Sequence, residues 1–97
     1  MSVSFHPQAA NEFEDAVIYY EDCQVGLGKQ LIQEIDVAIQ LVLAYPLAWT
    51  LVDHQVRRVL VRRFPFGLLY TVMNDEIYIL AVMNLNKAPN YWKTRLK

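Results

Sequence analysis

Two pairs of arginines stand close together in the middle of the chain, Arg57-Arg58 and Arg62-Arg63. Near the end, Lys87, Tyr91, Trp92 and Arg95 combine positive charge with large aromatic rings. Guanidinium groups grip carboxylates and phosphates through a planar fork, and aromatic rings beside them stack on or anchor a partner. The chemistry open to such a set is contact with an anion, either a nucleic-acid phosphate or an acidic protein segment. Proton transfer has fewer candidates. His54, beside Asp53, is the one histidine near the arginine pairs, and imidazole titrates in the useful range. Lysine and tyrosine start from reference pKa values of about 10, too high for efficient base work without strong depression. His6, just before Pro7, suits a helix start. Cys23 has no CxxC or histidine companion, so no metal site and no cofactor is expected.

These residues depend on the elements that carry them. The stretch from Val56 to Tyr70 reads as two strands joined by a tight turn around Phe66, because Pro65 cannot donate to a ladder and Gly67 tolerates unusual dihedrals. Alternation puts Arg57, Val59, Val61 and Arg63 on one side, and Arg58, Leu60, Arg62 and Phe64 on the other. Arg57 and Arg63 then share a face, suited either to a partner or to pairing with acids of the same chain. Arg58 and Arg62 read as structural or solvated. Tyr91, Trp92 and Arg95 read as a tail packed over the sheet edge, with a partner-binding surface as the other reading.

The remaining elements follow in order. Val3 and Phe5 alternate with Ser2 and Ser4, as in a short strand. Pro7 suits the first turn of a helix, and Ala9, Phe13, Ala16/Val17 and Tyr20 form one helical stripe. Glu12, Asp15 and Asp22 fall away from that stripe and read as a solvated face. Gln24 to Gly28 is an interhelical turn, and a second helix is expected from Gly28 to Ala44, stopped by Pro46. Leu47 to Leu51 is a loop or short strand anchored by Trp49. Strands at Leu68–Met73 and Ile77–Met83, joined at Asn74-Asp75, are apolar on both parities and belong in the middle of a covered sheet. The helical hairpin covers one face; the tail from Asn84 to Lys97, or another molecule, must cover the other. The fold class is α+β, with an N-terminal strand and two antiparallel helices packed on a mostly antiparallel sheet of four or five strands.

Composition sets the outer bounds. Ninety-seven residues, 55% of them apolar, make a single domain over residues 1–97 with a modest core. No run approaches the roughly 18 to 20 apolar residues of a membrane span. The opening Met-Ser-Val-Ser-Phe-His-Pro lacks a basic region followed by an apolar block, so a cytoplasmic location without membrane contact is expected. The net charge of -1 hides an asymmetry: residues 1–53 carry one base and eight acids, residues 54–97 eight bases and two acids. A basic half approaches phosphate or an acidic protein segment.

Five segments in order resemble the RelE/ParE toxin superfamily of bacterial type II toxin–antitoxin modules. They are Ala10 to Glu21 with its Tyr19-Tyr20-Glu21 ending, Gly26-Leu-Gly28, Tyr45-Pro46, Val56-Arg57-Arg58 through Arg63-Phe64-Pro65-Phe66-Gly67-Leu68-Leu69-Tyr70, and Pro89-x-Tyr91-Trp92-x-x-Arg95. The interhelical turn and the ending resemble the ParE and plasmid-stabilisation branch. The resemblance implies a toxin neutralised by a co-encoded antitoxin. ParE-like members poison DNA gyrase by protein contact. RelE-like members are ribosome-dependent endoribonucleases that cut mRNA, and for that activity the matching residues here are Arg57, Arg63, Lys87 and Tyr91. The family's histidine and arginines before the final proline are matched by Asn84, Asn86 and Lys87, so an acid/base group and a phosphate clamp are missing. The resemblance therefore implies ParE-like inhibition, with binding carried by Arg57, Arg63, Lys87, Tyr91, Trp92 and Arg95. The RelE-like nuclease and a relic without toxicity are the alternatives.

Overall fold

The computed structural model describes residues 1–87 and 89–96; positions 88 and 97 of the expected tail lie outside the described residues. The chain begins with a short strand, β1 (Ser2–Phe5), and turns directly into helix α1 (Pro7–Cys23). His6 makes that corner. Its backbone N–H donates to the Ile79 carbonyl at 2.8 Å, and its Nδ1 accepts from the N–H of Gln8 at 3.0 Å, satisfying one orphan donor of the helix start. Pro7, at the first helical position, has no N–H to leave unpaired.

Helix α2 (Leu27–Ala44) runs back beside α1. Gly26 takes φ +90°, a left-handed conformation that glycine adopts without steric cost. The Glu21 carboxylate accepts from the backbone N–H groups of both Gly26 and Gly28, at 3.0–3.1 Å, and so places a negative charge at the N-terminus of α2. At Gly28 the helices cross closely: a Cβ there would stand 2.8 Å from the Val17 carbonyl oxygen. Leu31, Ile35, Ala38 and Val42 are the buried stripe of α2, as their spacing predicts.

Four more strands complete the sheet: β2 (Thr50–Leu51), β3 (Arg57–Leu60), β4 (Phe66–Met73) and β5 (Glu76–Asn84). Their order is β1-β5-β4-β3-β2, with β1 parallel to β5 and the other pairs antiparallel. Asn74 and Asp75, at φ 52° and 60°, form the expected two-residue turn between β4 and β5. The other turn differs from expectation. The chain reverses at Arg62–Pro65 and not around Phe66, which already opens β4; Val61 N–H bonds to Phe66 carbonyl at 2.9 Å. Arg63 takes φ 70°, and this left-handed residue interrupts the alternation assumed from Val56 to Phe64. Phe64 is therefore buried in the same cluster as Val59 and Val61, not on the side of Leu60, which is 54% exposed.

Both faces of the central strands are covered. Toward the helices, Leu68, Tyr70, Ile77, Ile79 and Val82 meet Leu31, Ile35 and Val42 in the main core. On the opposite face Val56, Leu69, Leu80, Ala81 and Met83 are closed over by Trp92. The cover expected from the tail or from another molecule comes from the tail. The β4–β5 register slips where Leu69 opposes Ala81 and Tyr70 opposes Ile79, leaving Leu80 as the extra residue of a bulge.

Candidate functional site

The four arginines of the basic segment go to different places. Arg57, half-buried on the helix side of β3, donates from Nη1 to the Trp49 carbonyl at 2.7 Å. Beside it the Tyr70 hydroxyl donates to the Pro46 carbonyl at 2.6 Å. Burial raises the Tyr70 pKa and the Arg57 charge pulls it partly back. Together they pin the loop after α2 to the sheet. Arg63 lies beyond the strand, in the left-handed turn, where Nη2 donates to Gln30 Oε1 at 3.1 Å. The shared face expected for Arg57 and Arg63 does not form, because β3 ends at Leu60. Arg62 is exposed in the same turn. Arg58 lies on the other face of β3.

The tail residues do come together, around a residue that sequence reasoning placed in solvent. Glu12 of α1 is only 18% exposed at its side chain and Arg95 8%. Glu12 Oε1 accepts from Arg95 Nη1 at 2.9 Å and from the Val82 N–H at 3.1 Å; Oε2 accepts from the Tyr91 hydroxyl at 2.8 Å and from Arg95 Nη2 at 3.0 Å. Arg95 Nη1 also donates to the Leu80 carbonyl at 2.9 Å. The reason lies in the sheet. β1 accompanies β5 only as far as Ile79, so beyond it the outer edge of β5 has no strand neighbour, and the Leu80 carbonyl at the bulge is left for another donor. Glu12 and Arg95 supply the acceptor and donor that a strand would have supplied. The signal was present in the spacing. Glu12 stands three residues after Ala9 and four before Ala16, both buried, which puts it on the flank of the apolar stripe.

Around this hub lies an open groove of about 660 Å³ between α1 and the free edge of β5, lined in part by Glu12, Asp15, Asn84, Asn86, Lys87 and Tyr91. Asn84 shapes its rim: its side-chain oxygen accepts from the Asn86 N–H at 2.9 Å and its carbonyl from the Lys87 N–H at 3.0 Å, a turn that presents Lys87. Lys87 Nζ sits 4.7 Å from the centre of the Tyr91 ring and Arg95 Cζ 4.9 Å from it. Lys87, Tyr91 and Arg95 thus gather, but the protons of Tyr91 and Arg95 are committed to acceptors. Burial first, and the hydrogen bond to Glu12 second, push the Tyr91 pKa up, so the phenol stays neutral and donates to a carboxylate. The Glu12 hydrogen bonds raise the Arg95 pKa against the opposing effect of burial. Lys87 is the cation left at the rim, and Glu12 and Asp15 place negative charge in the same groove. That arrangement suits contact with a protein surface better than a phosphodiester in flight to a transition state, which needs unspent donors.

The other sequence candidates lie apart. Trp92 is 2% exposed and its Nε1 donates to the Pro89 carbonyl at 2.7 Å, so the ring is an internal cover and not an anchor for a partner. His54 is exposed and lines a separate recess with Arg57 and Tyr70. Its N–H bonds to Asp53 Oδ1 at 2.9 Å, which is the main reason the Asp53 pKa is lowered, with the Lys93 charge 3.7 Å away adding to it. Cys23 is an exposed free thiol. Among the described residues no three His, Cys, Asp or Glu side chains are grouped to hold a metal ion, and no helix is long and apolar enough to cross a membrane.

No protein of curated function shows significant sequence similarity to the chain. Seven solved chains do match significantly. One, described as the chromosomal ParDE TA system from P. aeruginosa, is 22% identical with a TM-score of 0.74, and the match covers 87% of this chain and 95% of that one. At that identity the likeness speaks for the fold. The family assignment comes from the sequence itself: residues 3–88 match the family model described as ParE toxin of type II toxin-antitoxin system, parDE, which spans every element from β1 to the Lys87 rim, and on that match the chain belongs to the ParE toxin family.

Proposed function

We propose that this protein is a cytoplasmic toxin that acts by binding its target and not by cutting RNA, that the target is DNA gyrase, and that a co-encoded antitoxin neutralises it. The observation that carries the reading is the state of the groove beside β5. The Tyr91 phenol that lines it and the Arg95 guanidinium behind it are both spent on Glu12, and its rim holds amides where a nuclease needs a base. A second feature supports a protein partner. A largely apolar groove of about 590 Å³, lined by Phe5, Ala10, Phe13, Val17, Ile18 and Ile32 with Glu14 as its one charged residue, runs along the hairpin beside β1. An antitoxin segment that folds on binding would bury it.

Two measurements on the induced protein test the reading. Purified protein added to gyrase, ATP and plasmid DNA is expected to accumulate cleaved DNA–gyrase complexes, and induced cells to filament with DNA-damage signalling. Primer extension on mRNA from the same cells is expected to show no new 5′ ends at codon boundaries. Such ends, abolished by Lys87→Ala, would replace this reading with a RelE-like ribosome-dependent endoribonuclease. Harmless expression together with no binding to the neighbouring gene product would mark the chain as a relic. Toxicity is expected to survive His54→Ala.

A further inference from the structure

The hairpin groove leaves the other face of the sheet without an assigned role, and one arginine there is unlike the others. Arg57 and Arg63 have acceptors within the chain, and Arg62 is open to water. Arg58 is half-buried on the sheet face away from the helices, opposite Thr50 on one side and Leu69 on the other. Among the described residues its Nε is the one buried side-chain nitrogen or oxygen without a hydrogen-bond partner. Leaving a buried donor unmatched costs about 1–3 kcal/mol, and more when the group is charged.

The surroundings explain how it is held. Gly67 lies beneath it: the Cγ and Cδ of Arg58 stand 3.2 Å from where a Cβ on Gly67 would be, and Leu85 Cδ2 stands 3.5 Å from the same point. The aliphatic stem of Arg58 and the side chain of Leu85 therefore lie together over bare backbone. Leu60 opposes Gly67 across the ladder and is 54% exposed; Leu85 is 42% exposed. The result is one guanidinium set into an apolar surface patch. Among the described residues no acid pairs with it: the ion pairs are Lys93–Asp53 and Arg95–Glu12, and Glu14, Asp15, Glu34 and Asp36 belong to the helices behind the sheet.

We propose that the Leu60–Arg58–Leu85 patch is a docking point for one carboxylate side chain of a protein partner, flanked on that partner by apolar residues. A carboxylate meets the two outer Nη–H groups in parallel, a strong two-bond geometry of arginine, and closes over a guanidinium whose Nε is already shielded from water. Apolar neighbours on the partner cover Leu60 and Leu85 and keep water from the pair, the usual setting of an arginine that matters in an interface. A nucleic-acid backbone fits less well, because it brings a charge with every nucleotide and needs several cations in line, whereas Arg57 faces the helices and Arg63 is tied to Gln30. The inference deepens the toxin reading by naming the chemistry of the contact.

The test has two arms. In the first, the side-chain Nε–H signal of Arg58, assigned by its loss in Arg58→Lys, is followed in a proton–nitrogen correlation spectrum. A blocked Ile-Glu-Leu-Glu-Ile peptide is expected to shift it, the Ile-Gln-Leu-Gln-Ile peptide to leave it in place, and high salt to weaken the shift. A shift with a single-stranded RNA dodecamer and not with the acidic peptide, or with neither, overturns the proposal. In the second arm, the affinity for the co-encoded antitoxin and for gyrase is measured with Arg58→Met. At least one of the two affinities is expected to fall about tenfold or more, with thermal stability unchanged or raised, because the variant removes an unsatisfied donor. A loss of stability together with unchanged affinity for both overturns it in favour of a structural role. If both proteins bind the wild type and Arg58→Met equally, the docking point fails and the toxin reading stands. If the acidic peptide shifts Arg58 while neither protein binds the wild type, the toxin reading fails and the docking point stands.

Discussion

Glu12 is a single carboxylate shared by Val82, Tyr91 and Arg95 through four hydrogen bonds, so it ties α1, the bulged strand and the tail at one point. Removing it leaves the Tyr91 hydroxyl and the Val82 N–H without acceptors, and the Arg95 charge with only the Leu80 carbonyl, in a site that is mostly shielded from water. Glu12→Ala is expected to cost about 3–5 kcal/mol, the range for breaking one side of a buried pair, whereas Asp15→Ala on the exposed flank should stay within about 0.5 kcal/mol; urea midpoints measured side by side decide this. The tyrosine gives a pH signature. Its folded pKa lies above the unfolded value of about 10, so its contribution to stability is complete below that value and is lost as pH rises through the folded value. Stability is expected to decline from about pH 10 upward, and Tyr91→Phe to flatten part of that decline. Tyr20 and Tyr70 are also raised and contribute to the same decline.

Among the elements, the β3–β4 connection shows how one dihedral re-sorts a whole set of side chains. The left-handed Arg63 lets Phe64 turn back under the helices, where its ring meets Tyr20 edge-on at 5.1 Å. Phe64→Ala is expected to cost about 3–5 kcal/mol. Arg63→Gly relieves a left-handed residue and gives up an exposed hydrogen bond, so a gain of about 0.5–1 kcal/mol is expected; a loss would show that the Gln30 contact holds the turn. The bulge in β5 works the same way. It aims Leu80 and Val82 at Arg95 and Glu12, and the free edge of the strand is satisfied without another strand.

At the scale of the molecule, a layer of two helices covers one face of the sheet and a few tail residues the other. The second cover rests on Trp92, packed over Val56, Leu69, Leu80, Ala81 and Met83. Trp92→Ala is expected to cost about 3–5 kcal/mol and to bring in binding of a dye for exposed apolar surface. Trp49→Ala, at a half-buried ring on the main core, should cost less and bind no dye. Charges from the acidic and basic halves of the sequence meet within the fold. Arg95 from the basic half and Glu12 from the acidic half meet in the interior, as do Lys93 and Asp53 nearer the surface.

The strands, the helical hairpin and the order of elements were legible in the chain because they rest on local periodicity, turn residues and the need to bury a two-sided apolar meander. The ParE resemblance was legible for the same reason, since its motifs are those turns and stripes. The partners of the charged residues were not. A guanidinium reaches several ångströms beyond its own backbone, and which acceptor it finds depends on elements far away in the chain: Trp49 for Arg57, Gln30 for Arg63, Glu12 for Arg95. Alternation sorted Val59 and Val61 correctly and failed at Phe64, because a single left-handed residue is invisible to a period of two. Only the packed structure could show that Glu12 is held inside and that Arg58 keeps a donor with nothing among the described residues to receive it.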